Sequence, residues 1–272
     1  MHNIFLFTIK NADLNYLPVA STEIQVQENE TPAKLTTRSV CYLQFNSLEE
    51  SVPGPMVKEV YIPIHFETEA SYDPEAEVTC STAYPLPPGK YRLSMAITTE
   101  DMEKIGVQYY DFDIPGPSSF KDTITTTPLF FVEKSKQLQA PEVQAEVHLD
   151  YFVYSVIQIT PNLKKEFSSG DNVELFFFIL GAQPNEQRKY DVEVEYEILQ
   201  NDKTVIRYAK QTYEYPLIIQ TLPLKRTVLI KKGEEEKKET RDLEAGEYTL
   251  NLKILDKISG KTAIQTIGFS AK

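Results

Sequence analysis

The chain has 272 residues, a formal net charge of −12, and 41% hydrophobic and 25% charged residues. This acidity excludes a nucleic-acid surface and disfavours adsorption to anionic lipid, because both require clustered Lys and Arg. No run nears the roughly 20 apolar residues of a membrane-spanning helix, and abundant Tyr and Phe (16 and 14), with many Val, Ile and Thr, favour strands.

In chain order, Ile4-Phe5-Leu6-Phe7-Thr8-Ile9 comes first. It is too short, and lacks the basic leader, for a secretion signal, and reads as a strand. If the native protein is exported, its signal is missing from this chain. Cys41, in the apolar stretch Arg38-Ser39-Val40-Cys41-Tyr42-Leu43, and Cys80 both fall in strand-like segments. An even count allows one disulfide between Cys41 and Cys80, or two buried thiols. His65 sits in the run Tyr61-Ile62-Pro63-Ile64-His65-Phe66 as a solvent-facing strand residue.

Acids follow. Glu67, Glu69, Asp73, Glu75 and Glu77 surround Pro74, the simplest reading being a solvated loop. Asp111-Phe112-Asp113 sets two carboxylates on one face of a strand. Because calcium takes oxygen ligands, Asp111 and Asp113 are a candidate calcium pair, although no calcium-loop spacing is present. Asp113-Ile114-Pro115-Gly116-Pro117-Ser118-Ser119 ends the first domain, since proline cannot continue a central strand. A candidate edge strand, Thr127 to Val132, and a polar stretch, Lys134 to Glu142, lead to a second domain opening with Tyr151 to Phe167. The expected boundaries are a first domain over 1–117, a linker over 118–146 and a second domain over 147–272.

Period-two alternation continues through Val173, Leu175, Phe177, Ile179 and through Val192, Val194, Tyr196, Ile198. Tyr208, Tyr213 and Tyr215 present aromatic rings either as cross-strand core pairs or as a carbohydrate-stacking platform. The charged run Lys231 to Glu239 reads as a hairpin tip between strands Thr227–Ile230 and Arg241–Leu243.

The segment Gly89-Lys90-Tyr91-Arg92-Leu93-Ser94-Met95-Ala96-Ile97 recurs 157 positions later as Gly246-Glu247-Tyr248-Thr249-Leu250-Asn251-Leu252-Lys253-Ile254. The ungapped match extends through Val107/Ile264, Gln108/Gln265 and Phe112/Phe269. That spacing is too long for a solenoid repeat and implies two copies of one domain. Short strands separated by Pro and Gly turns imply an all-β protein of two tandem immunoglobulin-like antiparallel β-sandwiches. Counted back by the same spacing, the opening segment of the second domain runs off the N-terminus of the chain. The first domain is therefore expected to lack its first strand, leaving an open sheet edge, unless Ile4 to Ile9 supplies it.

The pattern Leu86-Pro87-Pro88-Gly89-Lys90-Tyr91-Arg92-Leu93, an apolar strand, a charged turn and Val107 to Pro115 resembles the β-sandwich region that follows the von Willebrand factor A-related domain in bacterial exported proteins. Ile159-Thr160-Pro161-Asn162-Leu163, Phe167, Gly170-Asp171 and Val173 to Phe178 look like the opening of the same kind of module. The resemblance implies export, to the periplasm or the exterior. It does not carry metal-dependent adhesion, because no Asp-x-Ser-x-Ser motif is present.

Catalytic signals are absent. His2, His65 and His148 have no ligand-pair spacing. There is no Gly-x-Ser-x-Gly elbow, and the 10 glycines form no phosphate loop. The expectation is a non-catalytic structural or protein-interaction module of the bacterial envelope or exterior, without cofactor, metal or membrane insertion. Its partner would be another envelope or extracellular protein, bound through loops or an open edge. The alternative is a carbohydrate-binding accessory module that takes polysaccharide.

Overall fold

Strands with one apolar face bury it only by stacking on a second sheet, and this chain does so twice. The computed structural model describes residues 2–18, 34–48, 56–69, 71–232 and 235–272. It is all-β, its described helices being two 3-10 turns at Asn11–Leu14 and Pro117–Phe120. No helix among the described residues is long and apolar enough to cross a membrane. The chain folds as two units, one of residues 1–116 and 135–160, the other of 117–134 and 161–272.

The first unit contains an antiparallel sheet ordered Met56–Ile64, Ser39–Ser47, Gly89–Thr99, Ile105–Ile114. Its inner face carries Cys41, Leu43 and Phe45 beside Tyr91, Leu93 and Met95, all buried. A second sheet joins His2–Lys10, Glu77–Pro85 and His148–Leu149. Phe45 meets Phe5 and Tyr84 of that sheet at ring separations of 5.6 and 5.3 Å.

In the second unit, Thr262–Ala271, Gly246–Asp256, Val192–Gln200 and Lys203–Arg207 lie in that order, antiparallel. Glu166–Phe167 adds to the outer edge of Thr262–Ala271 as a parallel pair. The opposing sheet centres on Asn172–Leu180, with Leu217–Pro223 on one edge. Thr125–Thr126 and residues Phe130 to Val132 bond to its other edge. Val173, Leu175, Phe177, Val192, Val194, Tyr196, Leu250 and Leu252 form the centre of one buried cluster.

Several expectations about segment placement differ from what is found. The stretch 118–146, read as a linker, is divided between the units: Thr125–Thr126 and Phe130 to Val132 are strands of the second, and 135–146 belongs to the first. Likewise 147–160, read as the opening of the second domain, belongs to the first unit, where His148–Leu149 bonds to Ser81 and Cys80. Alternation marks a segment as strand but carries no address for the edge it joins. The run Lys231 to Glu239, read as a hairpin tip, does fall at the end of a hairpin, but its strands extend further into the run than Ile230 and Arg241. Strands Lys225–Lys232 and Glu235–Asp242 pair from Lys225↔Asp242 to Lys232↔Glu235, while positions 233 and 234 lie outside the described residues.

Candidate functional site

The strand pairings give each unit the same six elements in chain order. His2–Lys10, Ser39–Ser47, Met56–Ile64, Glu77–Pro85, Gly89–Thr99 and Ile105–Ile114 have counterparts in Asn172–Leu180, Val192–Gln200, Lys203–Arg207, Leu217–Pro223, Gly246–Asp256 and Thr262–Ala271. The last pair corresponds residue by residue: Tyr91 stands opposite Phe112 as Tyr248 stands opposite Phe269, and Met95 opposite Gln108 as Leu252 opposite Gln265. Ile4 to Ile9 thus forms a strand, but one with the pairings of Asn172–Leu180 rather than of an opening strand.

What differs is the space between the first and last of these six strands. In the second unit it is filled by the chain itself. Phe131, 1% exposed, packs edge-on to Phe167 and Phe269 at 5.2 and 5.8 Å. Ile124 is buried in the same core, and Gln265 Nε2 donates to Thr125 Oγ1 at 3.1 Å, tying the last strand to the filling segment.

In the first unit, His2–Lys10 bonds to Glu77–Pro85 on one edge, and along Ile4 to Lys10 no strand among the described residues pairs with the other. Ile105–Ile114 likewise bonds only to Gly89–Thr99 among the described residues. Between these edges runs a groove of about 610 Å³ lined by Phe7, Ile9, Met95, Ile97, Gly106 and Gln108. Tyr110 is 63% exposed whereas its counterpart Ile267 is 9% exposed. Phe5, Phe7 and Ile9 are only half-buried, and Gln108 is exposed. Lys10, Asp13, Glu77 and Lys104 also line the groove, adding two charges of each sign. Chemically this is an apolar slot flanked by sheet edges, whose N–H and C=O groups, unpaired among the described residues, suit backbone pairing.

Cys41 and Cys80 are free and buried, and burial pushes both thiols up to about 12. Asp111 accepts two hydrogen bonds from the Arg92 guanidinium, at 2.7 and 2.8 Å, which hold its carboxyl below the usual value. Asp113 is exposed opposite Lys90, and no third Asp, Glu, His or Cys among the described residues joins the two acids in a ligand cluster. Tyr208 and Tyr213 pack against the second core with their hydroxyls bonded to Pro223 O and Gln220 Oε1, while Tyr215 is exposed. His65 is exposed just past the end of Met56–Ile64.

One cluster escaped the sequence reading. Glu142, Glu146 and buried His148 bring ligand atoms within 4.8 Å of one another. This is a donor set able to hold a divalent metal, one ligand short of a closed tetrahedral site. His148 Nε2 lies 3.0 Å from Glu142 Oε2, and its ring stacks on Tyr151 at 4.7 Å, so the imidazole already has an acidic partner. The only sequence signal was a Glu-x-x-x-Glu-x-His spacing inside a stretch that reads as linker.

No model of a known protein family and no curated protein matches the chain.

Proposed function

We propose that the chain is a non-catalytic module of two tandem immunoglobulin-like sandwiches, serving the bacterial envelope or exterior by binding another protein. The shared order of six strands in both units supports the tandem reading. So does a tyrosine near the start of the fifth strand of each, whose hydroxyl bonds back to the chain four residues upstream, Tyr91 to Pro87 O and Tyr248 to Glu244 O. Placement in the envelope rests on the sequence resemblance. The observation that carries the binding role is the slot of the first unit, which no described residue fills, in the place that the second unit fills with its own residues 124–132. A groove beside two sheet edges that are unpaired among the described residues is a site for strand addition.

The test is cross-linking capture from a bacterial envelope fraction with the purified chain, alongside a chain whose slot is plugged by Gly106→Phe. A reproducible protein partner bears the reading out, and loss of that partner with the plugged chain assigns it to the slot. Capture of polysaccharide alone would overturn it.

A second reading, binding of polysaccharide, is favoured by a different set of tyrosines from Tyr208, Tyr213 and Tyr215. Tyr42 and Tyr61 stand opposite each other in register with rings 5.3 Å apart, and Tyr61 and Tyr109 are exposed on the same sheet. Retardation in a polysaccharide gel, abolished by Tyr61→Ala, is its expected signature.

A further inference from the structure

Resting on the interaction reading, we infer that the slot of the first unit accepts a single extended segment of a partner polypeptide, paired antiparallel to Ile4 to Lys10. The segment is uncharged, with aromatic or β-branched side chains at the places that Ile124 and Phe131 take in the second unit and a hydroxyl that meets Gln108.

The second unit supplies this description. Its filling segment, Ile124 to Val132, runs antiparallel to Asn172–Leu180, with Thr126 opposite Ile179 and Phe131 opposite Leu175. Ile124, Phe131 and Val132 are buried, while Thr125 takes the hydrogen bond of Gln265. The first unit keeps the receiving half of that arrangement. Gln108 holds the Gln265 position, Phe112 holds that of Phe269, and Phe7, Ile9, Met95 and Ile97 present the apolar floor. No atom of a described residue lies within 4 Å of where a Cβ on Gly106 would stand, so the slot has room there for side chains from outside. Two flanking edges reward an extended backbone over a helix or a small molecule, because only a strand satisfies a row of N–H and C=O groups at strand spacing.

The experiment uses the full chain and a labelled synthetic peptide with the chain's own sequence 123–132, Thr-Ile-Thr-Thr-Thr-Pro-Leu-Phe-Phe-Val, capped at both ends. Fluorescence anisotropy reads binding, and amide hydrogen exchange reads its location. Saturable binding is expected, with new protection at residues 4–10 and 105–110. Gly106→Phe fills the slot from a position with free space and is expected to weaken binding at least 10-fold. Gln108→Ala, on an exposed side chain, is expected to weaken it about 5-fold. Four results would overturn the inference. They are no saturation at millimolar peptide, protection at 172–180 instead, unchanged affinity in the Gly106→Phe chain, or a dimeric chain already protected at 4–10 without peptide. A partner captured equally by the plugged and unplugged chains would refute the slot while leaving the interaction reading intact.

Discussion

Tyr91 and Tyr248 show how one side chain closes a turn. Each hydroxyl donates to the carbonyl four residues back, at 2.9 Å to Pro87 O and 2.8 Å to Glu244 O. The glycine two residues before each tyrosine has a φ of 155° at Gly89 and 157° at Gly246, values that side-chain-bearing residues rarely adopt. Tyr248→Phe is expected to cost about 1 kcal/mol, the net worth of one hydrogen bond. Gly246→Ala should cost more, roughly 1 to 3 kcal/mol of backbone strain, and urea unfolding would rank the two. The thiols give a pH test. Cys41 and Cys80 are raised from 9.0 to about 12, so above pH 9 the unfolded chain ionises first and stability falls until the folded thiols titrate. The loss approaches about 1.4 kcal/mol per pH unit for each thiol. Replacing both cysteines with alanine should flatten this alkaline limb in unfolding curves measured from pH 8 to 11.

At the scale of the element, Glu197 ties three strands together from the middle of Val192–Gln200. It is 3% exposed and binds Arg207 Nη2 at 2.6 Å and Lys253 Nζ at 3.0 Å, from the strands on either side. The Lys253 ammonium first, then the Arg207 guanidinium, hold its carboxyl below the ordinary value of 4.5 against the opposing pull of desolvation. A carboxyl lowered on folding stabilises the native state above its ordinary value, and this contribution is lost as pH falls through the lower folded value. Glu197→Gln is therefore expected to cost roughly 2 kcal/mol at neutral pH. It should also flatten the acid side of a plot of melting temperature against pH.

The same scale explains what a strand's sequence reveals. Val192, Val194, Tyr196 and Ile198 alternate and are all buried, as periodicity requires. Thr125–Thr126 has no such pattern, yet it closes one edge of the second unit. His148–Leu149 is equally short, and its partner Cys80 lies far back in the chain. Two-residue strands are specified by the edge they meet rather than by their own alternation.

For the molecule as a whole, the chain passes between units at 116/117, 134/135 and 160/161. A fragment begun at 147, where the alternation suggests a domain, lacks the buried Ile124, Phe131 and Val132. It is expected to be destabilised relative to a fragment over 117–272 by at least the 3 to 5 kcal/mol typical of losing one buried Phe. Urea midpoints of the two fragments measure the difference.

The primary structure by itself determined the all-β class, the internal match between Gly89 to Phe112 and Gly246 to Phe269, and the faces that turn inward. These depend on side-chain period and on turn residues a few positions apart, which are local properties. Only the tertiary structure decided which edges are closed and which have no partner among the described residues. It alone assigned 124–132 to one unit and 148–149 to the other, gathered Glu142, Glu146 and His148, and left Phe7, Ile9 and Gln108 around a groove. Those outcomes depend on pairing between residues far apart in the chain, and a strand's own pattern is the same whether its neighbour comes from within the molecule or from another.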